Sequence, residues 1–229
     1  MKTCILRKSS VSGLALALAV TLGLTSASTE AALMVDMNDA HVAGGDWETV
    51  AAPDHDNPIV LSDGTTLLFV ASSGGATWAT SSMDQATGGT PYADTIYEDV
   101  ARDYFWSTAT TKYIVLGNLN SSVSYSLNLI SARASSGARV ATITANGLAA
   151  DATPHNGVNF NSYYDGWVDG VVLTWSNLTP DSNGEITLAF DPNTTDSYFI
   201  NGFVLVPEPA SMVLFGTGVL LLTARRRRA

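Results

Sequence analysis

Short apolar segments recur through the middle of the chain, separated by clusters of Ser, Thr, Gly, Asn and Asp. Along Val123 to Ile130, the residues Val123, Tyr125, Leu127 and Leu129 fall on one face of an extended chain, and Ser124, Ser126 and Asn128 fall on the other. Such a strand has one face in a core and one in water. Ile186, Leu188 and Phe190 repeat the pattern against Thr187 and Ala189. From Tyr198 to Leu205, Phe199, Asn201, Phe203 and Leu205 alternate with Ile200, Gly202 and Val204, so both sides are nearly apolar and a central strand is expected. Thr65 to Ala71, Tyr113 to Leu116, Val140 to Ala145, Val171 to Trp175 and Glu185 to Phe190 read as further strands, and Tyr104, Phe105 and Trp106 open another with β-favouring aromatics. Many short strands with turn residues between them predict an antiparallel sandwich or barrel.

One short helix interrupts this pattern. Thr95 with Glu98 three residues on forms a capping box, and Ile96 and Val100 share a face, which predicts a turn or two ending near Asp103. Asp181 to Gly184 reads as a hairpin turn with Gly184 at positive φ, and the bidentate Glu of a calcium loop is missing after it. No linker rich in proline or charge divides the segment from 28 to 206, and it holds no internal repeat.

The two ends follow a different pattern. Lys2, Arg7 and Lys8 precede an apolar run from Val11 to Leu24 and then Thr25, Ser26 and Ala27, the order of a secretory signal peptide. The expected cut follows Ala27, giving a signal peptide over 1–27. A second small-residue site follows Ala31. At the other end Pro207, Glu208 and Pro209 precede an apolar run from Ala210 to Ala224 and then Arg225, Arg226, Arg227 and Arg228. That run makes a helix of roughly 22 Å, able to span the ~30 Å hydrocarbon core only with snorkelling and local thinning. The arginines belong on the cytoplasmic side, which puts everything before Pro207 outside the inner membrane. The layout is thus a signal peptide over 1–27, a β domain over 28–206 and a tail over 207–229.

Charge and cysteine usage refine this. Between Ser28 and Val206 stand four basic residues (Arg102, Lys112, Arg133, Arg139) and twenty acidic ones, 4 minus 20, or minus 16, against minus 10 for the whole chain. So acidic a body argues against nucleic acid as a partner and suits a soluble extracellular protein with an affinity for divalent cations. The lone Cys4 lies ahead of the apolar run, away from where a lipidated cysteine would stand, and the exported body has no disulfide to rely on.

On hydropathy alone the tail also fits a plain membrane anchor. Pro207-Glu208-Pro209 ahead of a short span and an arginine run resembles the PEP-CTERM sorting signal. That resemblance implies export through signal peptidase, transient anchoring in the inner membrane, and removal of the tail near Pro207 to Pro209 by an exosortase. Release to the cell surface or extracellular matrix of an exopolysaccharide-producing Gram-negative bacterium would follow. The body is similar to the galactose-binding-like jelly-roll modules of secreted bacterial proteins. Asp103 to Trp106, Leu119 and Asn120 before Ser124 to Leu127, Ser131 to Arg133, Pro180 to Leu188 and Phe199 to Phe203 carry that similarity. The expected fold class is all-β: an antiparallel jelly-roll-like β-sandwich with one short helix, flanked by the signal peptide and a short C-terminal transmembrane helix.

No nucleophile elbow, His-Glu-x-x-His motif or phosphate-cradling glycine loop is present. A Ser-His-Asp set would have to be assembled from distant loops around His41, His55 or His155. The few glutamates (Glu30, Glu48, Glu98, Glu185) lack the setting of a glycosidase pair. Asp54, Asp56 and Asn57, in a loop between Pro53 and Pro58, offer oxygen ligands suited to calcium, although a polar surface loop needs no ion.

Sugar recognition combines an aromatic ring against the C–H face of a sugar with amides and carboxylates for its hydroxyls. Asn159, Asn161, Tyr163, Tyr164, Asp165 and Trp167 have that composition within nine positions, although aromatics of sandwiches also serve as core and rim. Trp47, Trp78, Trp106 and Trp175 read as structural, although Trp78 lies in a loop that looks flexible. The expected function is that of a non-catalytic exported surface or matrix protein binding exopolysaccharide. A purely structural exported protein and a secreted hydrolase with an unrecognised site are the alternatives.

Overall fold

The protein is described here by a computed structural model covering residues 32–37, 45–51, 58–71, 78–81, 85–86, 89–108, 110–134, 139–151, 156–193 and 197–208. The signal peptide, the tail from Pro209 onward, the loop with Asp54, Asp56 and Asn57, and all three histidines lie outside the described residues.

Two sheets face each other. In the first, strand β11 (Leu173–Leu178) pairs with β8 (Tyr125–Ile130), which pairs with β14 (Gly202–Pro207), then β1 (Leu33–Met37) and β2 (Glu48–Val50). In the second the order is β10 (Phe160–Asn161), β9 (Val140–Ala145), β12 (Ile186–Pro192), β7 (Lys112–Gly117), β4 (Leu67–Ala71) and β3 (Ile59–Val60). A smaller sheet joins β13 (Ser197–Ile200), β6 (Tyr104–Thr108) and β5 (Ala79–Ser81). The pairings are antiparallel except that of β1 with β2.

The expected alternation is what fills the core. Tyr125, Leu127 and Leu129 of the first sheet meet Ile186, Leu188 and Phe190 of the second, together with Val35, Phe203, Leu205, Leu68, Ile114, Leu116 and Ile143. Each of these side chains is nearly or wholly withdrawn from water, and full burial of one contributes about 1.5–3 kcal/mol. With no disulfide in the body, this layer carries the fold. Trp78, read as structural despite its flexible-looking loop, belongs to it: its ring meets those of Phe190 and Tyr198 edge-on, both at 5.4 Å. Trp175 is also core, and its indole N–H donates to the Leu148 carbonyl at 3.0 Å.

Three expectations change in detail. The single strand expected from Tyr198 to Leu205 is broken at Asn201, leaving β13 in the small sheet and β14 at the centre of the first. Asn201 is fully buried at this crossing. Its Nδ2 donates to the Asp103 carbonyl at 2.7 Å and its Oδ1 accepts from the Ala132 N–H at 2.6 Å, while its main chain bonds Ile130 and Met37. The expected helix contracts to consecutive turns and a 3-10 turn over Val100–Arg102, ending at Asp103. Thr95 and Glu98 do bond locally, but Thr95 Oγ1 reaches the Tyr97 N–H and Glu98 accepts from the Asp94 N–H, which closes turns in place of a helix start. This segment lays Tyr92, Val100 and Ala101 over Ile130 and Ala132, a second small core on the outer side of the first sheet.

Gly184 has φ 75°, and the turn closes as Asp181 Oδ1 accepts from the N–H groups of Asn183 and Glu185. The strands it joins, β11 and β12, lie in opposite sheets, so the turn crosses the sandwich and does not close a hairpin.

Candidate functional site

The segment expected to bind sugar is an ordered turn. Ser162–Val168 forms a single stretch of π-helix, with the Asp169 N–H donating to the Tyr164 carbonyl at 2.9 Å. Asn161 caps it, its Oδ1 accepting from the N–H groups of Tyr163 (3.0 Å) and Tyr164 (3.3 Å). Asp165 Oδ2 reaches back to accept from the Asn161 N–H at 2.8 Å. This is the reciprocal logic of a capping box, with the second residue one position later, as the wider π turn requires. Backbone bonds from Ser162 to Arg133 and Arg139 pin the turn to the ends of β8 and β9. A Cβ at Gly166 would stand 2.2 Å from the Ser131 carbonyl oxygen, so only glycine lets the turn sit this close.

These contacts sort the six sequence candidates. Asn161 and Asp165 use their polar atoms to build the turn, and Asp165 is buried. Asn159, at φ 54°, bonds through its side chain to Asn193. Trp167 is half-buried and packs on the cluster of Tyr92, Val100 and Ala132. Tyr163 and Tyr164 meet edge-on at 5.0 Å, and Tyr164 is 55 % exposed, with Val168 (46 %) also open to solvent. The arrangement offers a pinned aromatic surface led by Tyr164, with the amide and carboxylate groups of Asn161 and Asp165 turned inward.

Strand directions place this surface relative to the chain ends. Leu33 lies opposite Leu205, and Pro207 opposite Tyr125, so the described body begins and ends at one end of the first sheet. The π turn follows the other end, where Ile130 lies opposite Gly202 and Ser131 meets Ser162. The six residues of β8 separate the two, roughly 20 Å at strand rise.

At the end that carries Pro207 a cavity of about 600 Å³ opens between Leu33, Leu119, Tyr125, Leu205 and Pro207, with Asp63 and Asn118 on its rim. The rim groups are already bonded. Asn118 Nδ2 donates to the Thr65 carbonyl at 2.9 Å. Burial works against ionisation of Asp63, but hydrogen bonds from the Thr66 hydroxyl and from the N–H groups of Thr65 and Thr66 outweigh it and hold its carboxyl below the usual range.

Of the sorting-motif residues, Pro207 and Glu208 are described, whereas Pro209, Arg225, Arg226, Arg227 and Arg228 lie outside the described residues. Pro207 closes β14. Glu208 Oε1 accepts from Ser126 Oγ at 2.7 Å and from the Asn177 N–H at 2.8 Å, and the Glu208 N–H donates to the Ser124 carbonyl at 2.7 Å. Sequence reasoning missed Ser126 and Asn177. The signal for Asn177 was the interrupted alternation of β11, where Ser176 and Asn177 are both exposed between the buried Trp175 and Leu178, the mark of a bulge, whereas Ser126 carried no signal beyond its place on the polar face of β8.

Among the described residues no group of three or more His, Cys, Asp or Glu is placed to hold a metal ion, and no helix is long and apolar enough to cross a membrane. The apolar run over 210–224 lies outside them. Residues 205–228 match the family model of the PEP-CTERM protein-sorting motif. The tail thus marks the chain for export and for processing by an exosortase at the envelope, and its match begins inside β14. No curated protein and no solved structure matches the chain.

Proposed function

We propose that the mature protein is a non-catalytic component of the cell surface or extracellular matrix, left there by tail removal, and that it binds exopolysaccharide weakly through the turn around Tyr163 and Tyr164. The observation that carries this reading is the exposed Tyr164 ring on a turn whose backbone is fixed by its own caps, roughly 20 Å from the end that carries the tail. A body tethered by its tail would hold this ring away from the membrane. Weak single sites suffice when a polymer offers many copies. In this reading the body is a jelly-roll of the galactose-binding-like kind, the run over 210–224 is its transient membrane anchor, and Asp54, Asp56 and Asn57 are its calcium ligands.

The test is retention of the purified mature protein in gels containing exopolysaccharide. Tyr164→Ala removes an exposed ring, so stability should stay within about 0.5 kcal/mol while retention falls several-fold. Trp167→Ala should act in the opposite sense, costing about 1–3 kcal/mol through its packing on Val100 and Ala132. Retention equal to the unaltered protein in both Tyr163→Ala and Tyr164→Ala would leave a purely structural role for the body.

A further inference from the structure

We infer that the body carries a seat for the second residue of its own sorting motif, and that this contact holds back tail processing until the seat opens; the inference rests on the exosortase reading of the tail. The seat is built by the fold. The register of β11 shifts between Trp175 and Leu178, and Asn177 there adopts φ 57°. A bulge of this kind leaves a main-chain group out of the ladder and re-aims it. The Asn177 N–H points at the Glu208 carboxylate at 2.8 Å, and the Ser126 hydroxyl of β8 meets the same oxygen at 2.7 Å. Hydrogen bonds to an ionised acceptor are the stronger class. The Glu208 N–H is bonded as well, to Ser124, and Pro207 is in register with Tyr125.

An enzyme that cuts near Pro-Glu-Pro must hold the residues around the cut in its own cleft, and here their main chain and carboxylate are already engaged by β8 and β11. Slack does not resolve the conflict. Only Pro209 separates Glu208 from the apolar run starting at Ala210, and one residue reaches about 3.5 Å. The motif is therefore either seated or available, and the rate of processing scales with the fraction of chains in which the end of β14 has frayed. The geometry makes the folded body an autoinhibitory partner of its own tail, with the Glu208 seat as the contact that sets the delay.

The experiment is a pulse-chase of the full-length chain in exosortase-bearing cells, following conversion from the tail-bearing to the processed form. Ser126→Ala removes one donor to Glu208, and Ser126→Asp sets a like charge against it; both leave the sequence of the motif unaltered. Both should shorten the half-time of tail removal, by about threefold to tenfold for Ser126→Ala and by more for Ser126→Asp. Ile143→Val, in the core of the opposite sheet, lowers stability without touching the seat and should leave the half-time unchanged. Unaltered half-times in both Ser126 variants would overturn the gate, as would an equal acceleration in Ile143→Val. The same chase in cells without exosortase separates the two readings. Loss of the tail there would overturn the sorting reading and the gate with it, whereas retention there with unaltered half-times in exosortase-bearing cells would overturn the gate alone.

Discussion

Removing the Asn201 side chain should cost the body a large share of its stability. Asn201→Ala strips partners from the Asp103 carbonyl and the Ala132 N–H, both bonded to that side chain at the point where the chain crosses from the small sheet into β14. Each buried group left unpaired costs about 1–3 kcal/mol, so the two together cost about 2–6 kcal/mol, against the ~5–15 kcal/mol that a domain of this size has to lose. Asn201→Asp separates hydrogen bonding from volume. The carboxylate keeps the acceptor for Ala132 but loses the donor and turns a charge toward the carbonyls of Asp103 and Ala101. At neutral pH its deficit should match or exceed that of Asn201→Ala. Protonation near pH ~4 returns an O–H donor, so part of the deficit should be recovered relative to the unaltered protein at the same pH. Urea unfolding of the mature protein at the two pH values measures both effects. A loss below about 1 kcal/mol for Asn201→Ala, or a deficit independent of pH for Asn201→Asp, would refute the reasoning.

Replacing Pro207-Glu208-Pro209 with alanines should leave the chain inserted in the membrane and block its release; mass spectrometry of extracellular protein decides, and a released species still carrying Arg225 to Arg228 would sink the exosortase account. If Asp54, Asp56 and Asn57 hold calcium, the ion at about 100 times its Kd should add about 2.7 kcal/mol, and a melting temperature equal in chelator and in millimolar calcium would remove the metal. Burial holds the phenols of Tyr92 and Tyr97 above the usual range and pushes Tyr198 up to about 12, with the Ser107 hydrogen bond opposing and the Asp191 charge adding. Because the unfolded value is about 10, the stability tied to these neutral phenols is complete below pH ~10 and is lost as pH rises through the folded values. Phenolate absorbance should therefore show Tyr92, Tyr97 and Tyr198 ionising late, and complete tyrosine ionisation near pH ~10 in a protein that keeps its circular dichroism would count against the packing described.

The strands were legible because alternation reports burial directly. Leu127 and Leu129, or Ile186, Leu188 and Phe190, have to face one core, and they do. What alternation does not report is which sheet a strand joins. Tyr198 to Leu205 is apolar throughout, and only the partners of Asn201, distant in sequence at Ala101, Asp103 and Ala132, force the break. The candidate sugar-binding segment was legible in composition and not in conformation. A capping box is sought at a spacing of three, whereas Asn161 and Asp165 are four apart because the turn they close is a π turn. The same polar residues that made the segment look like a binding loop are the ones that fold it.

The body's charge narrows the class of polymer that this surface suits. At minus 16 between Ser28 and Val206, the body as a whole repels a polyanion, with a screening length of about 8 Å at physiological ionic strength. Its four cations are not spread evenly. Lys112 opens β7 opposite Phe190, Arg102 precedes the strand that Asn201 ties down, and Arg133 and Arg139 bond through their main chains to Ser162 at the foot of the π turn. All four lie at the end of the sandwich away from Pro207. The Arg133 guanidinium stands over the Phe199 ring at 4.9 Å, which fixes one of these charges beside the turn. Even so, Asp36, Asp99, Asp103, Asp165, Asp169 and Asp191 share that end, with Asp99 facing Arg102 at 4.0 Å, so the surface does not become basic. Rings supply contact without charge, and the most exposed group on the turn is the ring of Tyr164. On the proposed reading, a neutral glycan would meet no long-range penalty on this body, whereas an anionic one would need divalent cations between itself and the acidic flanks, so a calcium dependence of retention would report on the polymer as well as on the Asp54 loop.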